Sequence, residues 1–403
     1  MNLCFIGCLY KDDIYAHHCY GLAIALEKIA ESKIKVVTSN CSCFSSSQTF
    51  GCTQDELLSV DCDPVKIPYV PPDPSMKYGK TKYFIAKFGK LHLFFEIARG
   101  VQFFLKTKKC DLIHFDQVLK AFGFLSLFTL LALSRNRNQK MVVTVHELDP
   151  IQLKYKRLNR CYNTCARIIV HSEDFKDELL ALGIEGKKIE IVHQGVQIGP
   201  LSDLNREQLI YFGGHKLLKG KGFDTLLDAL EIVVSKKIKL SLVIYTGEGC
   251  IGLDEGKKRV LQKGLSHFVT WSEFLKGDEL ADAFQKSLAC IIPYTGGSGI
   301  YPAINAIANA TPVIATRKAS IPEYIGDLGI YIDQDNSDQL AEAIVDLMDQ
   351  ESLVSSLGKK LRNMAKQRYS WEKTAEKVLG IYTKIGIACP EATKDRLEGI
   401  QNI

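Results

Sequence analysis

No apolar run in the sequence is long enough to cross a bilayer. The longest, Ala121–Leu133, falls short of the ~20 residues a spanning helix needs and is expected to be a buried helix. The opening residues MNLCFIGCLY lack a basic leader and a cleavage site, which fits a first strand better than a signal peptide. Tandem repeats are missing. The 13 cysteines form no disulfide framework that spacing would suggest, and their one cluster, Cys41, Cys43, Cys52 and Cys62, matches no zinc pattern. Cys4, Cys8 and Cys290 lie in or beside apolar strand-like runs, which suits reduced, buried thiols in a cytoplasmic setting. No base-reading motif accompanies the modest net charge of +5, so nucleic acid is not an expected partner.

What is present is a soluble α/β pattern. A chain of 403 residues, 46% hydrophobic and 24% charged, exceeds one ordinary core and implies two domains. A strand at Asn2–Gly7, a loop Cys8–His18, a helix over Tyr20–Ser32 and a strand at Lys33–Thr38 open a doubly wound sheet. That loop lacks glycine and offers Tyr15, His17 and His18 instead. Strands at Asp111–Phe115 and Lys140–Val145 carry polar groups at their carboxyl ends: His114 with Asp116, and His146 with Glu147. Ligands of open α/β sheets gather at such ends. A helix over Leu158–Ala166, a strand Arg167–His171, a helix Glu173–Leu182 capped by Ser172 and a strand Lys188–His193 complete this half. Residues 197–207 are polar and bear Pro and Gly, and the boundary is placed there.

The alternation then repeats. It runs through a strand Gln208–Phe212, a glycine- and lysine-rich loop Gly213–Gly222 and a helix Phe223–Val234. A strand Leu240–Thr246 follows, ending at Gly247-Glu248-Gly249, then a strand Phe268–Trp271 and a helix Glu279–Ser287 capped by Asp278. Extended stretches are expected at Val313–Thr316, Ile321–Tyr324 and Ile330–Ile332, with helices to the end.

Two stretches stand out. Met76–Cys110 holds eight lysines and Arg99 against Glu96, interleaved with eight Tyr and Phe residues. A basic, aromatic, helical segment of this kind suits an anionic membrane surface, although a helix with one buried face and solvated lysines has the same pattern. The second is PYTGGSGIYPAINAIANATPV, Pro293–Val313. An apolar strand, Leu288–Ile292, leads into Thr295-Gly296-Gly297-Ser298-Gly299 and then a helix with Pro302 in its first turn. Glycines that let a backbone approach closely, followed by a helix N-terminus, make an anion site, most simply for phosphate.

Six blocks follow one another in a fixed order: LIYFGGHKLLKGKGFDTLLDAL, LSLVIYTGEG, ELADAFQKSLACIIPY, NAIANATPVIAT, IPEYIGDLGIYID and YSWEKTAEKVLGIY. With TVHELDP and RIIVHSEDFKDELLALGIEGKKIEIVHQGV in the first half, this arrangement resembles the retaining glycosyltransferases of family 4. The resemblance implies the GT-B fold, α/β with two Rossmann-like doubly wound domains facing across a cleft. These would be an acceptor-side domain over 1–200, a nucleotide-sugar domain over 201–370 and a helical segment over 371–403 crossing back to the first domain. It implies a cytoplasmic enzyme, peripheral on a membrane through residues 76–110. Its reaction would move a sugar from a nucleotide-diphospho-sugar, UDP- or GDP-linked, to a glycan or lipid-linked acceptor. Neither metal nor cofactor is expected. Lys216 and Lys221, five positions apart, would face the diphosphate, a role that fits the negative charge which grows on a departing diphosphate. His146 would lie near the reacting sugar, with Glu147 orienting either it or the acceptor. Gly213, Gly214, Glu248, Ser272, Phe274, Gly296, Gly297, Ser298, Gly299 and Asn305 would line the donor, and His17, His18 and His114 the acceptor side.

One departure matters. The family carries two glutamates eight positions apart, the first at the donor sugar and the second at the ribose. Here these positions are Gly297 and Asn305. Asn305 can still hydrogen-bond a hydroxyl, whereas Gly297 offers only an N–H. Two readings follow: an active transferase with an altered sugar pocket, or a catalytically silent binding protein of the same fold.

Overall fold

The structure is a computed structural model. It describes residues 3–7, 14–30, 34–38, 61–64, 89–116, 129–130, 132–134, 139–146, 162–202, 206–218, 220–238, 240–273, 275, 277–318 and 320–388. Contacts divide the chain into two compact units. Among the described residues, the first combines those up to Gly195 with those from Trp371, and the second is those of Val196–Ser370.

The first unit holds β1 (Leu3–Gly7), α1 (Ile14–Ala30), β2 (Lys35–Thr38), β3 (Asp61–Pro64) and α2 (Gly89–Thr107). It continues with β4 (Leu112–Asp116), β5 (Lys140–Thr144), β6 (Arg167–Val170), α3 (Glu173–Ala181) and β7 (Ile189–Ile191). The sheet is parallel, in the order β3-β2-β1-β4-β5-β6-β7. Order reverses between β1 and β4, where Gly7 pairs with Asp116. Ser172 caps α3 by accepting from the Phe175 N–H at 3.3 Å.

The second unit runs β8 (Gln208–Lys216), α4 (Phe223–Ser235), β9 (Ser241–Ile251), α5 (Leu253–Gln262), β10 (Val269–Glu273) and α6 (Gly277–Gln285). Then come β11 (Ser287–Ile292), α7 (Ile300–Ala308), β12 (Val313–Thr316), α8 (Ile321–Ile325), β13 (Ile330–Ile332), α9 (Ser337–Asp349) and α10 (Glu351–Arg368). Its parallel sheet has the order β10-β9-β8-β11-β12-β13, with the reversal between β8 and β11. Every residue of β11 and β12 is buried, as their unbroken apolar runs require in a sheet covered on both faces.

A final helix, α11 (Trp371–Lys384), belongs to the first unit. Val378, Leu379 and Tyr382 share a buried cluster with Leu22 and Leu26 of α1. Its Trp371 ring lies against two glycines. A Cβ added at Gly21 would fall 2.3 Å from the indole, and one at Gly195 2.1 Å from it.

Four sequence expectations are corrected. α1 starts at Ile14, so Tyr15, His17 and His18 are helical. β8 does not stop at Phe212: it runs to Lys216 and pairs there with Ile251, so Gly213, Gly214 and Lys216 are strand residues. β9 likewise passes through Gly247-Glu248-Gly249 to Ile251. Ile321–Tyr324 is helical because Pro322 sits in a first turn, where its missing N–H costs nothing. Most of Ala121–Leu133 lies outside the described residues; of the helix expected at Leu158–Ala166, the described residues 162–166 hold one 3₁₀ turn at Tyr162–Thr164 and no α-helix.

In the second unit two glycine loops meet backbone to backbone. Gly222 has φ +63° and a Cβ there would fall 1.8 Å from the Pro293 carbonyl oxygen. Gly264 has φ +68° with nothing within 4 Å of its Cβ position. Gly264→Ala therefore bears only the left-handed strain, about 1–2 kcal/mol. Gly222→Ala adds a clash with backbone and is expected to lose at least ~2 kcal/mol more. Denaturant unfolding of the two variants checks the difference; equal losses would show that the loops do not touch.

Candidate functional site

At the point where strand order reverses in the second sheet, the segment after β8 meets the segment after β11. The Gly220 carbonyl accepts from the N–H groups of Thr295 at 3.2 Å and Gly296 at 3.0 Å. Gly220 has φ +71°, the left-handed region that favours glycine, and its Cβ position lies in ordinary contact, 3.5 Å, with Gly296 Cα. These bonds remove two N–H groups from the expected anion site. Its remaining donors are the backbone from Gly297 into the first turn of α7, which Gly299 caps with φ +63°.

Lys221 stands between the two loops. The Tyr211 hydroxyl donates to its carbonyl at 3.1 Å, and its ammonium lies 3.9 Å above the Tyr294 ring. Tyr294 is itself fixed, its hydroxyl donating to Phe212 O at 2.6 Å and its carbonyl accepting from Thr316 Oγ1 at 2.6 Å. Burial pushes the Lys221 ammonium down to about 8. A Cβ at Gly297 would meet Lys221 Nζ at 3.9 Å and nothing nearer. Thus a desolvated cation borders open space at the position where the resemblance expects a carboxylate. No carboxylate pairs with Lys221 among the described residues.

The other expected donor residues are less concentrated. Lys216 is exposed at the end of β8. Ser272 lies in β10 with its hydroxyl donating to Glu273 O at 3.1 Å. Asn305 Nδ2 donates to Tyr301 O at 2.8 Å within α7, which leaves Oδ1 to accept from a ligand hydroxyl. Ser298 is exposed. Phe274 and the Glu248 side chain lie outside what the structure describes.

The first unit has its own cluster at the carboxyl ends of β4, β5 and β6. His146 follows β5, and its Nε2 lies 2.8 Å from Asp116 Oδ1 at the end of β4. The same oxygen takes His18 Nδ1, from α1, at 3.0 Å. His171 follows β6; its Nε2 lies 2.9 Å from His146 Nδ1 and its Nδ1 2.7 Å from Val192 O. All four side chains are nearly or fully buried. Burial alone would raise the Asp116 carboxyl, but His18 and His146 hold it below the usual carboxylate range.

Spacing did not reveal this cluster. Asp116 was visible as a strand-end acid, but its bonds reach 98 residues back to His18 and 30 forward to His146. In the sequence His171 shows only as the last residue of a strand. His114 is a correction: it points into the core, bonded to Thr144 Oγ1 at 2.7 Å and Tyr382 Oη at 2.5 Å, and burial pushes it down to about 3. It cannot meet an acceptor there. Glu147 and the His17 side chain lie outside the described residues, so the described partners that orient His146 are Asp116 and His171.

Comparison with known proteins agrees with this architecture. The family model described as Glycosyltransferase Family 4 matches residues 66–199, and the one described as Glycosyl transferases group 1 matches 201–370. Curated relatives include an MMP alpha-(1->4)-mannosyltransferase of Mycolicibacterium hassiacum, 26% identical over 54% of this chain and 53% of its own. A D-inositol 3-phosphate glycosyltransferase of Streptomyces avermitilis is 24% identical over 54% and 51%. This chain therefore spans about half the length of these relatives. Among solved structures, Anabaena HepE in complex with UDP aligns with a TM-score of 0.68 at 14% identity, covering 95% of this chain and all of that one. Sucrose-phosphate synthase from Thermosynechococcus elongatus also gives 0.68, at 16% identity over 95% and 99%. By its two family models, the chain belongs to the GT-B glycosyltransferases, with a first half of the family 4 type and a second half of group 1.

Proposed function

We propose that the protein transfers a sugar from a nucleotide-diphospho-sugar, UDP- or GDP-linked, to a glycan or lipid-linked acceptor. The observation that carries this reading is the Lys221 ammonium over Tyr294, beside the carboxylate-free loop that heads α7. When the sugar–phosphate bond breaks, charge builds on the departing diphosphate. A fixed, partly desolvated ammonium and a helix N-terminus stabilise that charge more than they stabilise the bound donor. In this reading the cation does the work without a metal or cofactor, and transfer proceeds with retention. HepE, which shares the fold, was crystallised with UDP and with UDP-glucose.

The absence of both glutamates keeps a second reading in play, a silent binding protein. The two differ in turnover: only a transferase releases nucleoside diphosphate over a screen of acceptors.

We assign the acceptor side to a membrane surface on the strength of α2. Phe94, Ile97, Val101 and Leu105 recur at helical spacing along one face and are 65%, 43%, 37% and 55% exposed. Lys106, Lys108 and Lys109 follow at its C-terminal end. An apolar stripe beside lysines matches an anionic bilayer surface, where each lysine contributes about 1 kcal/mol. Among the described residues no helix is long and apolar enough to cross a membrane.

Donor binding is expected to stabilise the fold by about 2.7 kcal/mol at a hundredfold excess over the dissociation constant. A thermal-shift series with UDP- and GDP-sugars checks this, and no shift with any of them or with free diphosphate would remove the reading.

Lys221→Ala is expected to weaken donor binding about 10- to 100-fold, the worth of one charged hydrogen bond. In the unaltered protein the Lys221 charge is present below pH 8 and lost above it. Donor affinity measured by calorimetry should therefore fall as pH rises through about 8. A flat profile up to pH 9.5 would detach Lys221 from the donor.

In vesicle sedimentation, the protein is expected to bind phosphatidylglycerol-containing vesicles and not neutral ones, and Phe94→Asp with Leu105→Asp should lower binding at least ~10-fold. Undiminished binding would move the membrane contact elsewhere.

A further inference from the structure

Three imidazoles meet beside the carboxyl ends of β4, β5 and β6. The ring centroids of His18 and His146 lie 4.5 Å apart, those of His146 and His171 4.6 Å, and those of His18 and His171 4.8 Å. One ring nitrogen from each residue lies within 4.8 Å of the other two. The three side chains are buried.

Each ring is also held from behind. Asp116 Oδ1 accepts from His18 Nδ1 at 3.0 Å and from His146 Nε2 at 2.8 Å. His171 Nδ1 donates to Val192 O at 2.7 Å. In that orientation His146 Nδ1 and His171 Nε2 face each other at 2.9 Å. An imidazole whose one nitrogen donates to a carboxylate or a carbonyl presents the other as a lone pair. This is the usual support of a metal-bound histidine.

We propose that His18, His146 and His171 bind one divalent transition-metal ion, with zinc as the expected occupant. His146 Nδ1 and His171 Nε2 supply two of its bonds and a nitrogen of His18 the third. Asp116 and the Val192 carbonyl are the positioning groups behind them. The donor set selects the metal. Imidazole nitrogen suits zinc, copper and nickel, whereas magnesium and calcium require shells of oxygen. Zinc–nitrogen bonds of about 2.0–2.1 Å at tetrahedral angles place ligand nitrogens roughly 3.3 Å apart. The 2.9 Å pair therefore opens slightly as the ion enters, and the widest pair closes by about 1.5 Å. Three protein ligands leave a fourth position for water. The Asp116 carboxylate, bonded to two of the ligand rings, offsets part of the ion's charge.

The ligands come from α1 and from the residues after β5 and β6, so the ion ties a helix to two strand ends. Its role is cohesion of the first unit. It takes no part in the proposed transfer, in which Lys221 meets the diphosphate.

The test uses the full chain without an affinity tag, stripped with dipicolinate and titrated with zinc against a chromogenic chelator. One zinc per chain is expected, with a melting temperature that falls on stripping and recovers on zinc addition. X-ray absorption at the zinc edge should show three histidine nitrogens at about 2.0 Å. Asp116→Asn should weaken zinc binding about 10- to 100-fold, and His171→Ala, which removes a ligand, by more.

No binding at micromolar zinc would overturn the proposal. So would sulfur in the zinc shell, which would give the ion to cysteines, or an affinity unchanged in His171→Ala. If the variants do not fold, the stoichiometry and absorption spectrum of the unaltered protein decide alone. Zinc binding needs neither nucleotide-sugar nor turnover, so the transferase reading and this one can fail separately.

Discussion

The second unit depends on a backbone-to-backbone contact that only glycine permits. Gly220 and Gly222 bring the segment after β8 against Pro293 and Gly296, and Gly220 O then ties down two N–H groups. That contact fixes the residue caught between the two glycines. Lys221 is held over an aromatic face that is anchored at both its hydroxyl and its carbonyl. A lysine on a mobile loop would lose several rotamers on binding a phosphate, whereas this one has already lost them. The electrostatic element of the site is thus a product of main-chain geometry more than of side-chain contacts.

The two units treat charge in opposite ways. In the second, a cation is left without a described carboxylate and its proton is loosened by burial. In the first, a buried acid is surrounded by histidines and its charge is answered internally. An internally balanced cluster adds little net field outside itself, while an unbalanced ammonium attracts an anion. The difference leaves the second unit with a cation open to an anion and the first with a cluster balanced within itself.

Much of this was legible in residues close in sequence. The alternation of apolar runs gave the doubly wound class. Gly296 to Gly299 before an apolar helix marked the turn into α7, and a lysine directly before Gly222 marked Lys221. Local signals failed where a distant partner decides. The glycines at 213 and 214 read as a loop, yet pairing with β9 keeps them in the strand, with an irregular register and Gly214 at φ +67°. Ile321–Tyr324 is too short for periodicity to separate strand from helix. The donors of Thr295 and Gly296 looked available to a ligand until Gly220 O took them. The histidine cluster joins residues from position 18 to 171, and nothing in the neighbourhood of any one of them signals the other three.

The helix Trp371–Lys384 has a bearing on biosynthesis. It completes the first unit's core, its indole filling the space left by Gly21 and Gly195. A ribosome makes that helix only after Val196–Ser370 has been synthesised. The later half of the chain therefore has all its parts in hand first, and the earlier half waits, with the apolar face of α1 uncovered, until the last helix emerges. In this protein the order of translation and the order of domain completion are inverted.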